Sequence, residues 1–157
     1  DQLILEAPAV YGTGGSPSWL NWVFSIPQID HLGPLAVASI ASSGLDLLVE
    51  SYTDPSMITA EVQASYTAPL KIAGWERAFW EFNKAPRSLN LVERLDDLRA
   101  PTLIITGDDD RVVATADSIK LNGDLPGSEL VIIEGAGHLP NEEKPKEFVD
   151  AVLRFLN

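Results

Sequence analysis

Cysteine is absent from this 157-residue chain. That absence removes disulfide frameworks, zinc–thiolate centres and thiol redox chemistry together. Positive charge is scarce as well: Lys plus Arg number 11 against 23 Asp plus Glu, a formal charge of −12, with a sequence pI near 4.4. A nucleic-acid binder needs clustered Lys and Arg against phosphates, and anionic membranes attract polybasic segments, so neither partner is expected. No apolar run approaches the roughly 18 residues of a transmembrane helix, and no signal peptide opens the chain. The expected location is therefore cytoplasmic. An initiator Met is lacking too. Asp1-Gln2 leads directly into Leu3-Ile4-Leu5, as if the chain began inside a domain. What is present is ordinary: 45% hydrophobic and 22% charged residues describe a globular chain rather than a disordered or fibrous one.

Three short apolar runs read as strands: Leu3-Ile4-Leu5-Glu6-Ala7, Thr102-Leu103-Ile104-Ile105-Thr106 and Leu130-Val131-Ile132-Ile133-Glu134. Each is rich in Leu or β-branched residues. Continuous rather than alternating apolarity predicts burial on both faces, the habit of parallel strands. Residues 114–122 have the length of a crossover helix between the second and third. Pro145 suits the first turn of a final helix. Phe148, Val149, Val152, Leu153, Phe155 and Leu156 recur there at helical spacing, which predicts one face packed on a sheet.

The first two strands lie roughly ninety residues apart, although a crossover needs only about a dozen. The interval is expected to be a helical insertion. Residues 34–43 and 45–52 read as two helices broken at Gly44. Thr59 is a candidate N-cap for a helix to about Thr67, stopped before Pro69. Ile72, Trp75, Phe79 and Phe82 form a helical stripe that reads as core, and residues 89–98 read as a shorter helix. Tyr52, Tyr66 and the Trp residues are expected to be packing residues, and His31 structural or exposed.

Two loops carry residues suited to chemistry. Gly107-Asp108-Asp109-Asp110-Arg111-Val112-Val113 follows the second strand, and Glu134-Gly135-Ala136-Gly137-His138-Leu139-Pro140 follows the third. Ligands of open parallel sheets bind beyond the carboxyl ends of strands, so the sequence brings a carboxylate and an imidazole to one rim. An acid that accepts the Nδ1 proton of a His holds its tautomer and leaves Nε2 to act as base.

These residues resemble the α/β-hydrolase superfamily. The run from Ala100 to Val113 is similar to its acid strand, in which an apolar strand is followed by Gly-x-x-Asp and two apolar positions. That implies Asp110 as the triad acid. Gly135-Ala136-Gly137-His138 resembles its histidine loop and implies His138 as the base. The 28-position separation of Asp110 and His138 fits one intervening helix, and acid before His matches the family order. The resemblance implies an α/β fold of three parallel strands with flanking helices, a partial core over 1–11 and 99–157, and a helical cap over 12–98. Val112 and Leu139, each beside a catalytic candidate, are expected to line the substrate pocket. No metal or organic cofactor is implied.

The nucleophile elbow Gly-x-Ser-x-Gly is missing. The nearest string, Gly14-Gly15-Ser16-Pro17-Ser18, lacks the second Gly and does not lie between strand and helix. The chain is therefore expected to be the C-terminal half of such a hydrolase and inactive alone. Its expected partners are the N-terminal half or a second copy, with an apolar ester as substrate. Esterase-like acyl hydrolysis is the leading reading. A dehalogenase, epoxide hydrolase or haloperoxidase-like member, or a non-catalytic ligand-binding protein of the same fold, are its rivals. Among blander readings, Asp108 and Asp109 cap the next helix, or the three consecutive Asp residues hold a divalent cation.

Overall fold

In the computed structural model, residues 1–11, 20–24, 26–40, 44–84 and 91–157 are described. Two compact units emerge. One comprises Asp1–Gly12, Leu47–Met57 and Leu89–Asn157, the other Thr13–Asp46 and Ile58–Ser88. Residues 47–57, within the range expected for the cap, thus belong with the sheet.

The sheet unit holds three parallel strands in the order β1 (Leu3–Glu6), β2 (Thr102–Gly107), β3 (Ser128–Ile133). Leu3 pairs with Thr102, and Ile105 with Val131. All of β2 is buried, whereas β1 is half-buried throughout and β3 mixes half-buried positions with exposed Glu129 and Ile132. Burial on both faces, expected of all three strands, holds only for the middle one, because β1 and β3 each have one strand neighbour here. Helix α6 (Thr115–Asp124) crosses from β2 to β3. It packs Leu121 against Ile104, with Leu125 beside them. The final helix α8 (Pro145–Leu156) places Phe148, Ala151, Val152 and Phe155 against Leu103, Ile105 and Ile133. Successive β2 side chains therefore feed two opposite cores, as the pleat requires. Val149, Leu153 and Leu156 are exposed, so the apolar face expected of α8 is wider than the stripe it buries. A short helix α7 (Pro140–Glu143) precedes it.

Between β1 and β2 lie α1 (Leu20–Phe24), α2 (Pro27–Ile40), α3 (Gly44–Ser51), α4 (Ala60–Thr67) and α5 (Trp75–Lys84). Thr59 caps α4 as expected, its Oγ1 accepting the Val62 N–H at 3.2 Å. The expected helix start at Pro34 is corrected: Pro27 takes the first helical position and Pro34 lies inside α2. A proline there cannot donate to the carbonyl four residues back, and that carbonyl, of Asp30, instead accepts Arg77 Nη1 at 3.1 Å. Leu89 and Asn90, the start of another expected helix, lie outside the described residues. So do Gly14 to Ser18. Val92–Asp97 forms a 3-10 helix.

The Trp75–Phe79–Phe82 stripe does not form the core of the helical unit. Phe79 is 51% and Phe82 62% exposed, and the buried residue of α5 is Trp80. Its ring sits where a Cβ on Gly33 would lie, only 2.1 Å away, so a larger residue at 33 has no room. Phe24 meets the same ring edge-on at 5.2 Å, and Trp80 Nε1 donates to Asp30 at 2.9 Å. Leu70, Ile72, Trp75, Phe79 and Phe82 instead line an open apolar groove of about 410 Å³ in this unit.

Candidate active site

Every part of this site lies in the sheet unit. Gly107 ends β2, and a Cβ there would come within 2.0 Å of the Ala136 carbonyl. Only glycine lets the acid loop pass so close under the histidine loop. The two loops are then stitched by backbone bonds, Asp108 N–H to Ile133 C=O and Asp109 N–H to Ala136 C=O, each 3.1 Å.

Asp110 lies at the foot of this crossing with its side chain fully buried. Its Oδ1 accepts the N–H groups of Val112 and Val113 at 2.9 and 2.8 Å. Its Oδ2 lies 2.9 Å from His138 Nδ1. The carboxylate is thus held in one rotamer by two backbone donors, with its second oxygen turned to the imidazole. The His138 side chain keeps 24% of its surface in solvent, and Nε2 is the ring nitrogen not engaged by Asp110. This arrangement can orient an imidazole and stabilise its protonated form.

The other two aspartates behave differently from the expectation. Neither caps α6, whose N-cap Ala114 has no side-chain bond. Asp108 Oδ1 accepts the Gly135 N–H at 2.8 Å, and Asp109 pairs with Arg111. The three carboxylates point to three different partners. Among the described residues no cluster of three or more His, Asp or Glu converges as a metal-ligand set. Val112 is exposed and Leu139 half-buried.

Several residues around His138 carry no signal in the sequence. The His138 N–H donates to Ser51 C=O at 2.8 Å. Glu143, 5% exposed, accepts the Gly137 N–H at 2.6 Å. Tyr52, 2% exposed, donates its hydroxyl to Glu142. Glu6, at the end of β1, accepts the Asn141 N–H at 3.2 Å. Burial pushes the Glu6 carboxyl above its usual range, against the opposing pull of that N–H and of His138. Tyr66 and His31 are exposed. No described helix is long and apolar enough to cross a membrane.

Comparison with known proteins agrees with this architecture. A family model described as "Alpha/beta hydrolase family" matches residues 3–151. The 2-hydroxy-6-oxononadienedioate/2-hydroxy-6-oxononatrienedioate hydrolase 2 of Pseudomonas putida is 27% identical over 157 residues, covering 92% of this chain and 51% of that protein. Two solved structures share the fold. The 2-hydroxy-6-oxo-6-phenylhexa-2,4-dienoate hydrolase of Rhodococcus sp. strain RHA1 superposes with a TM-score of 0.70 at 16% identity, over 99% of this chain and 55% of that one. A meta-cleavage product hydrolase mutant from Pseudomonas fluorescens, complexed with acetates, gives 0.64 at 21% identity, over 100% and 56%. The chain spans about half the length of these relatives. With a family model running from β1 into α8, this chain belongs to the alpha/beta hydrolase family.

Proposed function

We propose that the chain supplies the acid and the base of a nucleophile–His–Asp hydrolase acting on an acyl substrate, with the nucleophile and the oxyanion donors contributed from outside residues 1–157. One observation carries this reading: the 2.9 Å contact of His138 Nδ1 with an Asp110 carboxylate whose other oxygen is held by two N–H groups. In the reaction His138 Nε2 takes the proton of the nucleophile as that atom adds to the acyl carbon. The same nitrogen returns the proton to the leaving group. It then takes a proton from the water that adds to the acyl-enzyme, and returns that proton to the nucleophile as the acyl–nucleophile bond breaks. Asp110 balances the charge on the imidazolium throughout. These residues need no metal or organic cofactor for that sequence of proton transfers.

A neutral ester with an apolar portion is the favoured substrate. The P. putida relative's name offers a second reading, hydrolysis of an oxo-dienedioate. Glu6, whose carboxyl feels the charge of His138, within a chain of net charge −12, repels a dicarboxylate and disfavours it.

The test uses the complete hydrolase. His138→Ala should lower kcat by about a thousand-fold or more with the fold kept, and Asp110→Asn, which loses the tautomer control, by a comparable factor. A fluorophosphonate probe should label a serine beyond this chain. Near-normal turnover in His138→Ala removes the assignment. Absence of labelling on any polypeptide favours an Asp nucleophile or a ligand-binding role.

A further inference from the structure

Beyond the acid and the base, we propose that Glu143 is the positioning residue of the histidine loop, acting by pinning that loop to the segment Ser51–Asp54. This rests on the reading of His138 as the base. The observation is a closed ring of hydrogen bonds. Glu143 Oε1 accepts the Gly137 N–H at 2.6 Å, while Oε2 accepts the N–H groups of Thr53 at 2.8 Å and Asp54 at 3.3 Å. The ring closes where the His138 N–H donates to Ser51 C=O at 2.8 Å. Two successive amides, those of Gly137 and His138, are therefore bound to two acceptors that are themselves tied together.

The chemistry of Glu143 suits this task and little else. A carboxylate is costly to bury, and here it is buried with three backbone donors aimed at it. An ionised carboxylate is acceptor-only, so both oxygens meet N–H groups without conflict. A glutamine of the same shape satisfies only one side, because its amide NH2 must face a donor. The fit is also tight on the loop itself. A Cβ on Gly137 would lie 2.6 Å from Ser51 O and 3.1 Å from Glu143 Oε1. Asp110 fixes the imidazole at Nδ1, but the ring's position also depends on where its backbone sits. Displacements near an ångström cost reaction rate rather than ground-state binding.

The experiment compares Glu143→Gln, Glu147→Gln and Gly137→Ala with the wild-type complete hydrolase on a short-chain p-nitrophenyl ester. In parallel, NMR follows the His138 Nδ1–H proton bonded to Asp110. Glu143→Gln should lower kcat by about 10- to 100-fold and leave KM within about two-fold. Its His138 N–H resonance should shift or exchange out while the circular dichroism spectrum is kept. Glu147→Gln removes the same charge from an exposed position four residues on and should leave both readouts near wild type. Gly137→Ala breaks the ring from the other side, without a charge change, and should reproduce the kcat loss. It decides the matter should Glu143→Gln fail to fold. An unmoved His138 resonance with kcat within about two-fold of wild type in Glu143→Gln overturns the proposal. So does an equal loss in Glu147→Gln, which would mark a charge effect. If His138→Ala itself retains activity, the reading of His138 as base fails, whatever the resonance shows.

Discussion

The two units of this chain are held together by different physics. In the sheet unit, Leu103, Ile104 and Ile105 are buried to within about 1% of completion and serve two cores on opposite faces. Polar groups there pair in strand ladders and with carboxylates that accept backbone N–H groups. Among the described residues of the helical unit, one side chain draws together several polar contacts. Asp30 accepts from Arg77, Trp80 and Lys84, while its carbonyl, freed by Pro34, accepts Arg77 a second time. Large apolar residues such as Trp22, Leu35, Phe79 and Phe82 stay exposed. Apolar burial in the sheet unit is spread over two cores, whereas around Asp30 several polar contacts converge on one side chain. The tryptophans make the contrast measurable. All four fall within the sequence ranges of the helical unit, so their fluorescence reports that unit alone, while amide exchange in β2 reports the sheet.

The largest effect is expected from Ile104→Ala. Removing a fully buried Ile with Leu121 and Leu125 packed around it should cost about 3–5 kcal/mol, lost transfer energy plus an unfilled cavity. Urea unfolding followed by β2 amide exchange should show the whole loss. If the tryptophan transition moves by the same amount, the units unfold as one and the contrast breaks.

Gly33→Ala comes next. The new methyl would lie 2.1 Å from the Trp80 ring, so the indole must leave its place, at a cost of about 1–3 kcal/mol for overpacking. A red-shifted tryptophan emission with unchanged β2 protection sharpens the comparison. Unchanged emission means that Trp80 is not anchored in this notch.

The same contrast explains what the sequence reveals. A strand buried on both faces must be apolar at consecutive positions, so β2 is visible as Leu103-Ile104-Ile105, and the close loop crossing demands Gly107 before Asp110. The histidine loop is visible for the same reason. By contrast, the period of α5 shows that Trp75, Phe79 and Phe82 share a stripe but not whether that stripe faces the core. The answer depends on the space Gly33 leaves for Trp80, and no local pattern encodes that. Glu143 is invisible for a related reason. Its partners Thr53 and Asp54 lie some 90 positions away and contribute only backbone, which every residue has. Asp108 looked like a helix cap because an acid before a helix usually is one; its bond to Gly135 needs the parallel register of β2 and β3.

Acid should separate the units further. Lys84, Trp80 and Arg77 hold the Asp30 carboxyl well below the usual carboxylate range. A depressed folded value gives stability that is present above the unfolded value, about 3.9, and lost as pH falls through the folded one. The helical unit should therefore weaken as pH drops below about 4. Asp30→Asn should remove that dependence and shift tryptophan emission already at neutral pH. An acid midpoint equal to wild type in Asp30→Asn would mean that another group sets it.

Glu6 predicts the opposite sign in the sheet unit, with the smallest effect. Its carboxyl is raised by burial, with Glu142 adding to the rise and the Asn141 N–H and His138 opposing it. A raised folded value gives stability that is complete below the unfolded value, about 4.3, and lost as pH rises through the folded one. At neutral pH the ionised Glu6 is thus a small burden on the sheet, softened by solvent screening because the group is half-exposed. Glu6→Gln keeps an oxygen for the Asn141 N–H and removes the charge. It should be neutral to slightly stabilising at pH 7 and should flatten the stability profile above about pH 4. A clear loss of stability at pH 7 would show that the Asn141 bond needs the charge. Acidification from neutrality then relieves the sheet at Glu6 before it weakens the helices at Asp30, because the raised carboxyl takes its proton at a higher pH than the depressed one.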